Sequence, residues 1–237
     1  MLYTKQAVKD NIRNRDGKRV FYLGKGHQLT SDARDYLTRE RIAILPASAA
    51  KPERWKLLNG GYMEEKPEHM THLNAQVLVR KDHPRIRFRG MIDALEAEIL
   101  VCQHQSIRAG HVQLTMDLQE MLEFVRGLIP CDVLGRPVGE INLCGYTADE
   151  LREHSHYPDK YYGQPHFMAA VTDDSALLYV NRLRTVVRQA ELAGYEAFKN
   201  YDGSVKRPDI ILAMNRLSSL CWIMMIKLKA GKYERKC

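Results

Sequence analysis

Residues 177–191 read LLYVNRLRTVVRQAE, and their pattern predicts a long amphipathic α-helix. Apolar side chains recur there at intervals of three or four residues, which gives one buried stripe: Val180, Leu183, Val187 and Ala190. The helix is expected to run from about Asp173 to about Phe198. A further helix is expected from Pro208 to about Lys229, and because it is apolar nearly all round we expect it to be buried.

Polar side chains form a second stripe on the first of these helices: Asn181, Arg184, Arg188 and Glu191. Their spacing of 3, 4 and 3 residues places two guanidinium groups and one carboxylate on one face. Two arginines one turn apart suit a triphosphate, because each can bind phosphate oxygens through two hydrogen bonds. The alternative is a solvated surface of charged pairs.

Working outward, the same periodicity predicts three earlier helices. One begins at Asp82 with Pro84 in its first turn, one runs from about Thr115 to Ile129 and ends at Pro130, and a short one is capped by Thr147. Long helices joined by short loops favour an all-α fold, a five-helix bundle. Residues 66–237 are assigned to this bundle, and residues 1–65 to a small α+β appendage followed by a loop over 46–68.

Composition limits the function classes. The chain has 237 residues, a net charge of +7 and a pI near 9.1, which suits an anionic partner such as a polyphosphate. The arginines alternate with acids along helices, and no nucleic-acid-binding motif is present, so a nucleic acid is not expected. The apolar stretch from Ile210 to Ile226 is interrupted by polar residues, so no membrane span is expected.

Polar residues lie unexpectedly in the middle of the last helix: Asn215, Arg216, Ser218 and Ser219. A buried polar cluster is costly without partners. Either a ligand or a network between helices must supply them. Earlier in the chain, Lys81 near a helix start is a candidate phosphate contact, and Asp93 needs an arginine partner, for which Arg184 or Arg188 would serve.

The five cysteines include no Cys-x-x-Cys pair, and the histidines show no metal-binding motif. The odd number of cysteines and the lack of a secretory signal indicate reduced thiols in a cytoplasmic protein. No metal site is therefore predicted.

Several blocks of the sequence resemble the corrinoid adenosyltransferases of bacterial ethanolamine utilisation and, more widely, of propanediol utilisation: Thr71–Ala75, Lys81–Ile86, Asp93, Arg184–Arg188 with Glu191, and Ala213–Ser219. The resemblance implies a transferase that moves the 5′-deoxyadenosyl group of ATP to the Co(I) of a corrinoid. It also implies that ethanolamine ammonia-lyase uses the product and that Mg²⁺ is the partner of ATP.

The resemblance also implies a set of site residues. Arg184 and Arg188 would hold the triphosphate and Asp93 would pair with Arg184; these three are the predicted catalytic residues. The implied ATP-binding residues are Thr71, His72, Lys81, Arg184, Arg188, Glu191 and Asn215. Thr71, His72 and Lys81 would reach ATP from a neighbouring chain, in a dimer or trimer with active sites between subunits.

In this family an apolar side chain beneath the corrin ring removes the lower axial ligand of cobalt, which makes Co(II) easier to reduce. The corresponding place falls at Phe167 or Met168, next to His166, and these three form the predicted corrinoid-binding set, with Phe167 favoured. Two departures matter. The cysteine-rich metal motif of many ethanolamine-type enzymes is missing, since the first cysteine is Cys102, and so is the glycine-rich phosphate loop of the wider family.

An alternative function uses the same residues: they would serve a non-catalytic carrier of ATP and corrinoid. A role in a bacterial microcompartment is a further expectation, for which the appendage is the candidate segment, and a reductase is an expected partner.

Overall fold

The computed structural model describes residues 2–15, 17–49 and 55–235. The chain divides into two compact units, one of Met1–Trp55 with Tyr62–Glu65 and the other of Lys56–Gly61 with Lys66–Cys237. The strands are β1 (Leu2–Tyr3), β2 (Arg13–Arg15), β3 (Lys18–Leu23), β4 (Gln28–Leu29), β5 (Ala43–Pro46), β6 (Trp55–Leu57), β7 (Tyr62–Met63), β8 (Met70–His72), β9 (Val77–Arg80), β10 (Asn142–Leu143) and β11 (Tyr146–Thr147). The helices are α1 (Lys5–Asp10), α2 (Ser31–Arg39), α3 (Pro84–Arg108), α4 (Val112–Leu134), α5 (Ala148–His156), α6 (Pro158–Tyr162), α7 (Ser175–Phe198) and α8 (Pro208–Lys229), and Ala47–Ala49 forms a 3₁₀ turn.

The first unit is a small α+β structure. In its sheet β3 lies between β2, which is antiparallel to it, and β5, which is parallel. Helix α2 joins β3 to β5 and begins at Thr30, whose hydroxyl accepts a hydrogen bond from the Ala33 amide at 3.3 Å. The α+β character predicted for this region is confirmed.

The second unit is mainly helical, as predicted, but it also contains strands that the sequence analysis missed. Strand β9 pairs with β6 in parallel and with β8 in antiparallel orientation, and β10 pairs with β11. Four of these strands, β8, β9, β10 and β11, lie after residue 69, where only helices were expected. Strands β6 and β7 interrupt the predicted loop over 46–68, of which Pro52 lies outside the described residues. Two- to four-residue strands carry too few side chains to show a periodicity.

One hydrophobic core holds the helical unit together. Helix α7 packs against α3 and α8, and α3 packs against α4. All four residues of the predicted apolar stripe of α7 are fully buried: Val180, Leu183, Val187 and Ala190. The rings of Phe88 and Phe198 meet edge to face at 5.6 Å between α3 and α7, so the aromatic groups close one end of this core.

Two predicted helix ends are wrong. Helix α4 continues through Pro130 to Leu134 and ends where Gly135 adopts a left-handed conformation with φ of 67°. Glycine reaches that conformation without steric cost, so it provides the stop that the proline did not. Helix α3 is capped by His83, whose Nδ1 accepts from the Arg85 amide at 3.2 Å, because Asp82 instead forms an ion pair with Arg80.

Helix α8 has the length and mean hydropathy of a membrane-spanning helix, the single such helix in the described part of the chain. Its most apolar window is 61% buried within the protein. This burial is typical of a core helix in a bundle, as the sequence analysis expected.

Candidate functional site

An open cleft of about 420 Å³ lies over α7 and α8 and is bordered by the end of α5 and the loop that follows α6. Its lining residues are Ser155, His156, His166, Phe167, Met168, Arg184, Asn215, Ser218, Ser219 and Trp222. The structure thus brings together two sets of predicted residues: Arg184 and Asn215 from the ATP set, and the whole corrinoid set, His166, Phe167 and Met168. The cleft therefore combines a cationic group with an apolar surface.

Arg184 is a half-buried cation that has no acidic partner among the described residues. Its Nη2 donates to Asn181 Oδ1 at 3.2 Å, and its buried Nε has no hydrogen-bond partner. Burial lowers the pKa of Arg184, and the positive charge of Arg188 lowers it further. Arg188 is exposed, and it has no ion pair within residues 2–15, 17–49 and 55–235. A desolvated guanidinium next to a second one is an anion-binding arrangement.

Glu191 and Asn215 join α7 to α8 beside these arginines. Asn215 Nδ2 donates to Glu191 Oε1 at 3.2 Å, and Arg216 Nη1 donates to Asn215 Oδ1 at 2.7 Å. Asn215 itself is exposed rather than buried, whereas Arg216 is only 6% exposed. Burial lowers the pKa of Arg216, and the nearby Arg152 adds to this effect. The expected buried polar cluster therefore centres on Arg216, and Asn215 is accessible to a ligand.

An aromatic stack forms the apolar side of the cleft around Trp222. The Trp222 ring lies 5.2 Å from the Phe167 ring and 5.8 Å from the His166 ring, both nearly parallel to it. The Arg184 guanidinium lies over the same indole at 5.7 Å. Phe167 is half-buried, but Met168 is 91% exposed. Of the two candidates for the apolar side chain under a corrin ring, Phe167 is the one that the protein holds in place.

Trp222 was missed by the sequence analysis. A signal was present, since Trp222 follows Asn215 by seven residues and therefore lies on the same face of α8 two turns later. Its contact with Phe167 could not be predicted, because the loop before α7 has no periodicity from which a contact could be inferred.

Thr71, His72 and Lys81 lie on a separate structure, the β8–β9 hairpin. Thr71 and His72 belong to β8, and Lys81 follows β9 directly, with its side chain exposed. None of the three lines the cleft. Arg89 attaches this hairpin to α3, since its Nη2 donates to the Leu73 carbonyl at 2.7 Å and its Nη1 to the His72 carbonyl at 3.3 Å.

A buried carboxylate, that of Asp132 on α4, organises the base of the hairpin. Its side chain is 0% exposed and forms ion pairs with Arg85 and Arg89, each at 2.7 Å. Asp132 had no role in the sequence analysis, because the helix that carries it was expected to end at Pro130. Arg85 and Arg89 therefore share one buried carboxylate, whereas Arg184 and Arg188 have no carboxylate partner among the described residues.

Asp93 forms no ion pair with Arg184 within the described residues of this chain, and the predicted pairing of the two stays a prediction. Its side chain is exposed, and the described residues provide it with no ion-pair partner. The reason is geometric: Asp93 follows the buried Ile92 and lies outside the stripe of α3 that faces the core, whereas Arg184 points toward Trp222 on α8.

In the part of the chain that the structure describes, no three His, Cys, Asp or Glu residues converge as metal ligands. Several histidines have other roles. His83 caps α3, and His154 stacks on Tyr161 at 3.7 Å and hydrogen-bonds Tyr162 through Nδ1 at 2.9 Å.

Residues 61–228 match the family model described as cobalamin adenosyltransferase. The corrinoid adenosyltransferase EutT of Escherichia coli (strain K12) is 32% identical over 166 residues, which are 68% of this chain and 59% of that protein. EutT of Salmonella typhimurium is 31% identical over 166 residues, with the same two shares. The chain thus spans 59% of the length of these curated relatives.

Among solved structures, two variants of the PduO-type ATP:corrinoid adenosyltransferase from Lactobacillus reuteri, both complexed with cobalamin and ATP, share the fold. One has a TM-score of 0.53 at 16% identity and covers 71% of this chain and 90% of that one. The other has a TM-score of 0.51 at 16% identity, with coverage of 71% and 93%. At this identity the likeness concerns the fold.

Proposed function

We propose, since the chain belongs to the cobalamin adenosyltransferase family, that it transfers the 5′-deoxyadenosyl group of ATP to the Co(I) of a corrinoid and forms adenosylcobalamin. The observation that carries this proposal is the cleft in which Arg184 adjoins the Phe167–Trp222 stack. A triphosphate needs cations that are free of acidic partners, and a corrin ring needs a flat apolar surface. The cleft offers both, since the Arg184 guanidinium and the Phe167 ring lie 5.7 and 5.2 Å from the Trp222 ring.

Arg184 and Arg188 are assigned to the triphosphate. Neither is neutralised by a carboxylate among the described residues, so both can bind phosphate oxygens. Glu191 and Asn215, which bond to each other at 3.2 Å, are assigned to the nucleotide or its Mg²⁺. That ion would be bound largely by phosphate oxygens and water, as is usual for Mg²⁺, with Glu191 as the candidate protein carboxylate.

In the reaction, the electron pair of Co(I) attacks the ribose C5′ of ATP. A Co–C bond forms, the bond between C5′ and the phosphate oxygen breaks, and its electron pair leaves with the polyphosphate. The arginines would stabilise the negative charge that develops on the leaving group. Phe167, with Met168 and His166 beside it, would lie under the corrin ring and exclude the lower axial ligand, which favours reduction to Co(I).

A second copy of the chain would complete the site. The hairpin residues Thr71, His72 and Lys81 are accessible but do not line the cleft of their own chain, and Asp93 is exposed and has no ion-pair partner among the residues that the structure describes. We assign all four to the cleft of a neighbouring subunit, in a dimer or trimer with active sites between subunits. There Asp93 could reach Arg184 of the neighbouring copy.

The wider assignments follow from the same proposal. Residues 66–237 would form the adenosyltransferase domain, a five-helix bundle of α3, α4, α5, α7 and α8, and residues 1–65 the appendage with its linker. The product would serve ethanolamine ammonia-lyase in the cytoplasm, with a reductase as partner and with a microcompartment as the place of assembly.

The test is anoxic incubation of the purified protein with ATP, Mg²⁺ and chemically reduced cob(I)alamin, without added zinc or iron. We expect the visible spectrum of adenosylcobalamin to appear, and light to convert the product. If both ligands bind but no product forms, even with divalent transition metals added, the chain is instead a carrier of ATP and corrinoid.

A further inference from the structure

We infer that Trp222 is a positioning residue that couples the two halves of the cleft, so that the corrinoid bound beside Phe167 and the polyphosphate bound at Arg184 strengthen each other's binding. This inference rests on the proposed function. Trp222 does not contact a reacting atom. Its role is to set the distance between Phe167 and Arg184.

The first observation is that Trp222 is shared between the two predicted sets. Phe167 and His166 stack on its ring at 5.2 and 5.8 Å, with interplanar angles of 22° and 11°. The Arg184 guanidinium lies over the same ring at 5.7 Å. One rigid indole thus contacts the candidate corrinoid residues and the candidate phosphate residue together.

The second observation is how little else holds Arg184. Its one hydrogen bond to a described residue goes to Asn181, at 3.2 Å and on its own helix, and its buried Nε is unsatisfied. An aromatic face attracts a guanidinium, and the attraction is larger where water is excluded. The indole of Trp222 is therefore the principal tertiary contact that orients this cation.

The third observation concerns Phe167, whose position depends on neighbours at the end of α8. Lys229 Nζ lies over the Phe167 ring at 5.6 Å and forms an ion pair with Asp173 in the same loop. Both Lys229 and Trp222 of α8 therefore contact this loop at Phe167. A corrinoid that presses on Phe167 would act on Trp222, and through it on Arg184.

Such an arrangement has a chemical use. Transfer requires the ribose C5′ to lie in line with cobalt, and small misplacements of reacting atoms are costly. The triphosphate end of ATP is held at Arg184, and the corrinoid is held at Phe167. Because both groups rest on one rigid ring, their separation is set by a single side chain.

The measurement is a binding cycle. The affinity for MgATP is determined with and without cob(II)alamin, which binds without reacting, in the wild-type protein and in the Trp222→Leu and Trp222→Phe variants. In wild type we expect cob(II)alamin to strengthen MgATP binding about 5-fold or more, as is usual for coupled sites. Trp222→Leu should reduce this factor to about 1, and Trp222→Phe should keep part of it because an aromatic face remains.

Phe124→Leu is the matched control, since Phe124 is also a half-buried aromatic packed on the core but does not line the cleft. It should keep the wild-type coupling. Turnover gives a second readout. Trp222→Leu should raise KM for each substrate by no more than the lost coupling factor, whereas kcat should fall further, because the reacting groups are also mispositioned. A purely structural role would alter Phe124→Leu and Trp222→Leu alike.

Tryptophan fluorescence tests the same role if the Trp222→Leu variant does not fold. The chain has two tryptophans, Trp55 and Trp222, so Trp55→Phe leaves Trp222 as the sole emitter. MgATP, which does not absorb at the excitation wavelength, should change its emission as Arg184 moves against the ring, while Trp222→Phe should show no such change.

The inference is overturned if wild type shows no coupling, if Trp222→Leu keeps it, or if MgATP leaves the Trp222 emission unchanged. These results are distinct from failure of the proposed function. Product formation without coupling would overturn the role of Trp222 alone, and coupling without product would leave that role intact in a carrier.

Discussion

Two pairs of arginines, each separated by four residues on a long helix, have opposite environments in this protein. Arg85 and Arg89 on α3 converge on the buried Asp132, with both ion pairs at 2.7 Å. Arg184 and Arg188 on α7 have no carboxylate partner among the described residues. The spacing is the same, so spacing alone does not distinguish a structural pair from a ligand-binding pair. The difference lies in whether another helix supplies an acid.

The comparison implies that the first pair stabilises the fold while the second pair is available for an anion. A buried charge without its partner is destabilising, so the buried Asp132 carboxylate requires its arginine partners. The unmatched pair on α7 can persist because Arg188 is exposed and Arg184 is half-buried over Trp222. A polyphosphate would supply the missing negative charge.

The largest effect is expected from Arg188→Ala. Removing a guanidinium that stabilises a phosphoryl leaving group should lower kcat/KM for adenosyl transfer about a thousandfold or more. The free energy of unfolding should be unchanged, because Arg188 has no ion pair with any described residue. Arg126→Ala is the control, since Arg126 is an exposed arginine paired with Glu96 at 3.1 Å, and it should keep wild-type turnover. Wild-type turnover in Arg188→Ala would show that the α7 pair is not the phosphate site.

Asp132→Asn should have the largest effect on stability. It leaves two arginines facing each other without a counter-charge, and breaking a buried pair costs about 3–5 kcal/mol of unfolding free energy. Urea denaturation measures this loss. Glu96→Gln, which removes the acid of an exposed pair, should cost less than about 1 kcal/mol. Equal losses of unfolding free energy in the two variants would show that the buried Asp132 ion pairs contribute no more to stability than the Arg126–Glu96 pair.

Phe167→Ala should lower the rate about 10-fold when the reaction starts from cob(II)alamin and a reductant, because the lower ligand is no longer excluded. The loss should be smaller when cob(I)alamin is supplied. Met168→Ala is the matched variant, since Met168 is 91% exposed, and it should stay within about 2-fold of wild type. The opposite ranking would assign the corrinoid contact to Met168.

The smallest effect on stability is expected from the ion pair between Arg207 and Asp209. Arg207 Nε and Nη2 donate to the Asp209 carboxylate at 2.9 and 2.8 Å. These bonds lower the pKa of Asp209 from 3.8 to about 2. Since the folded pKa is depressed, the stabilisation is present above pH 3.8 and is lost as the pH falls towards 2.

We expect about 1 kcal/mol of unfolding free energy from this pair, after allowance for its partial exposure. Denaturation at pH 5 and at pH 2.5 measures it, with Asp209→Asn as the reference. An identical pH dependence in Asp209→Asn would mean that the pair contributes nothing.

Several parts of the molecule could be predicted because they depend on local pattern. The buried stripe of α7, the burial of α8 and the Thr30 cap each follow from residues close together in sequence. The polar stripe also follows from spacing, which is why Arg184 was identified before its environment was known. In contrast, the strands from β6 to β11 were missed because strands of two to four residues carry no usable periodicity.

What the sequence by itself determined is therefore the long helices, the apolar faces that they bury and the residues that recur in the family. Only the tertiary structure decided which charges are matched. It paired Asp132 with Arg85 and Arg89 across more than forty residues, left Asp93 exposed and placed Trp222 between Phe167 and Arg184. The physical reason is that neutralisation and stacking act over a few ångströms between helices, and the distance along the chain carries no information about that approach.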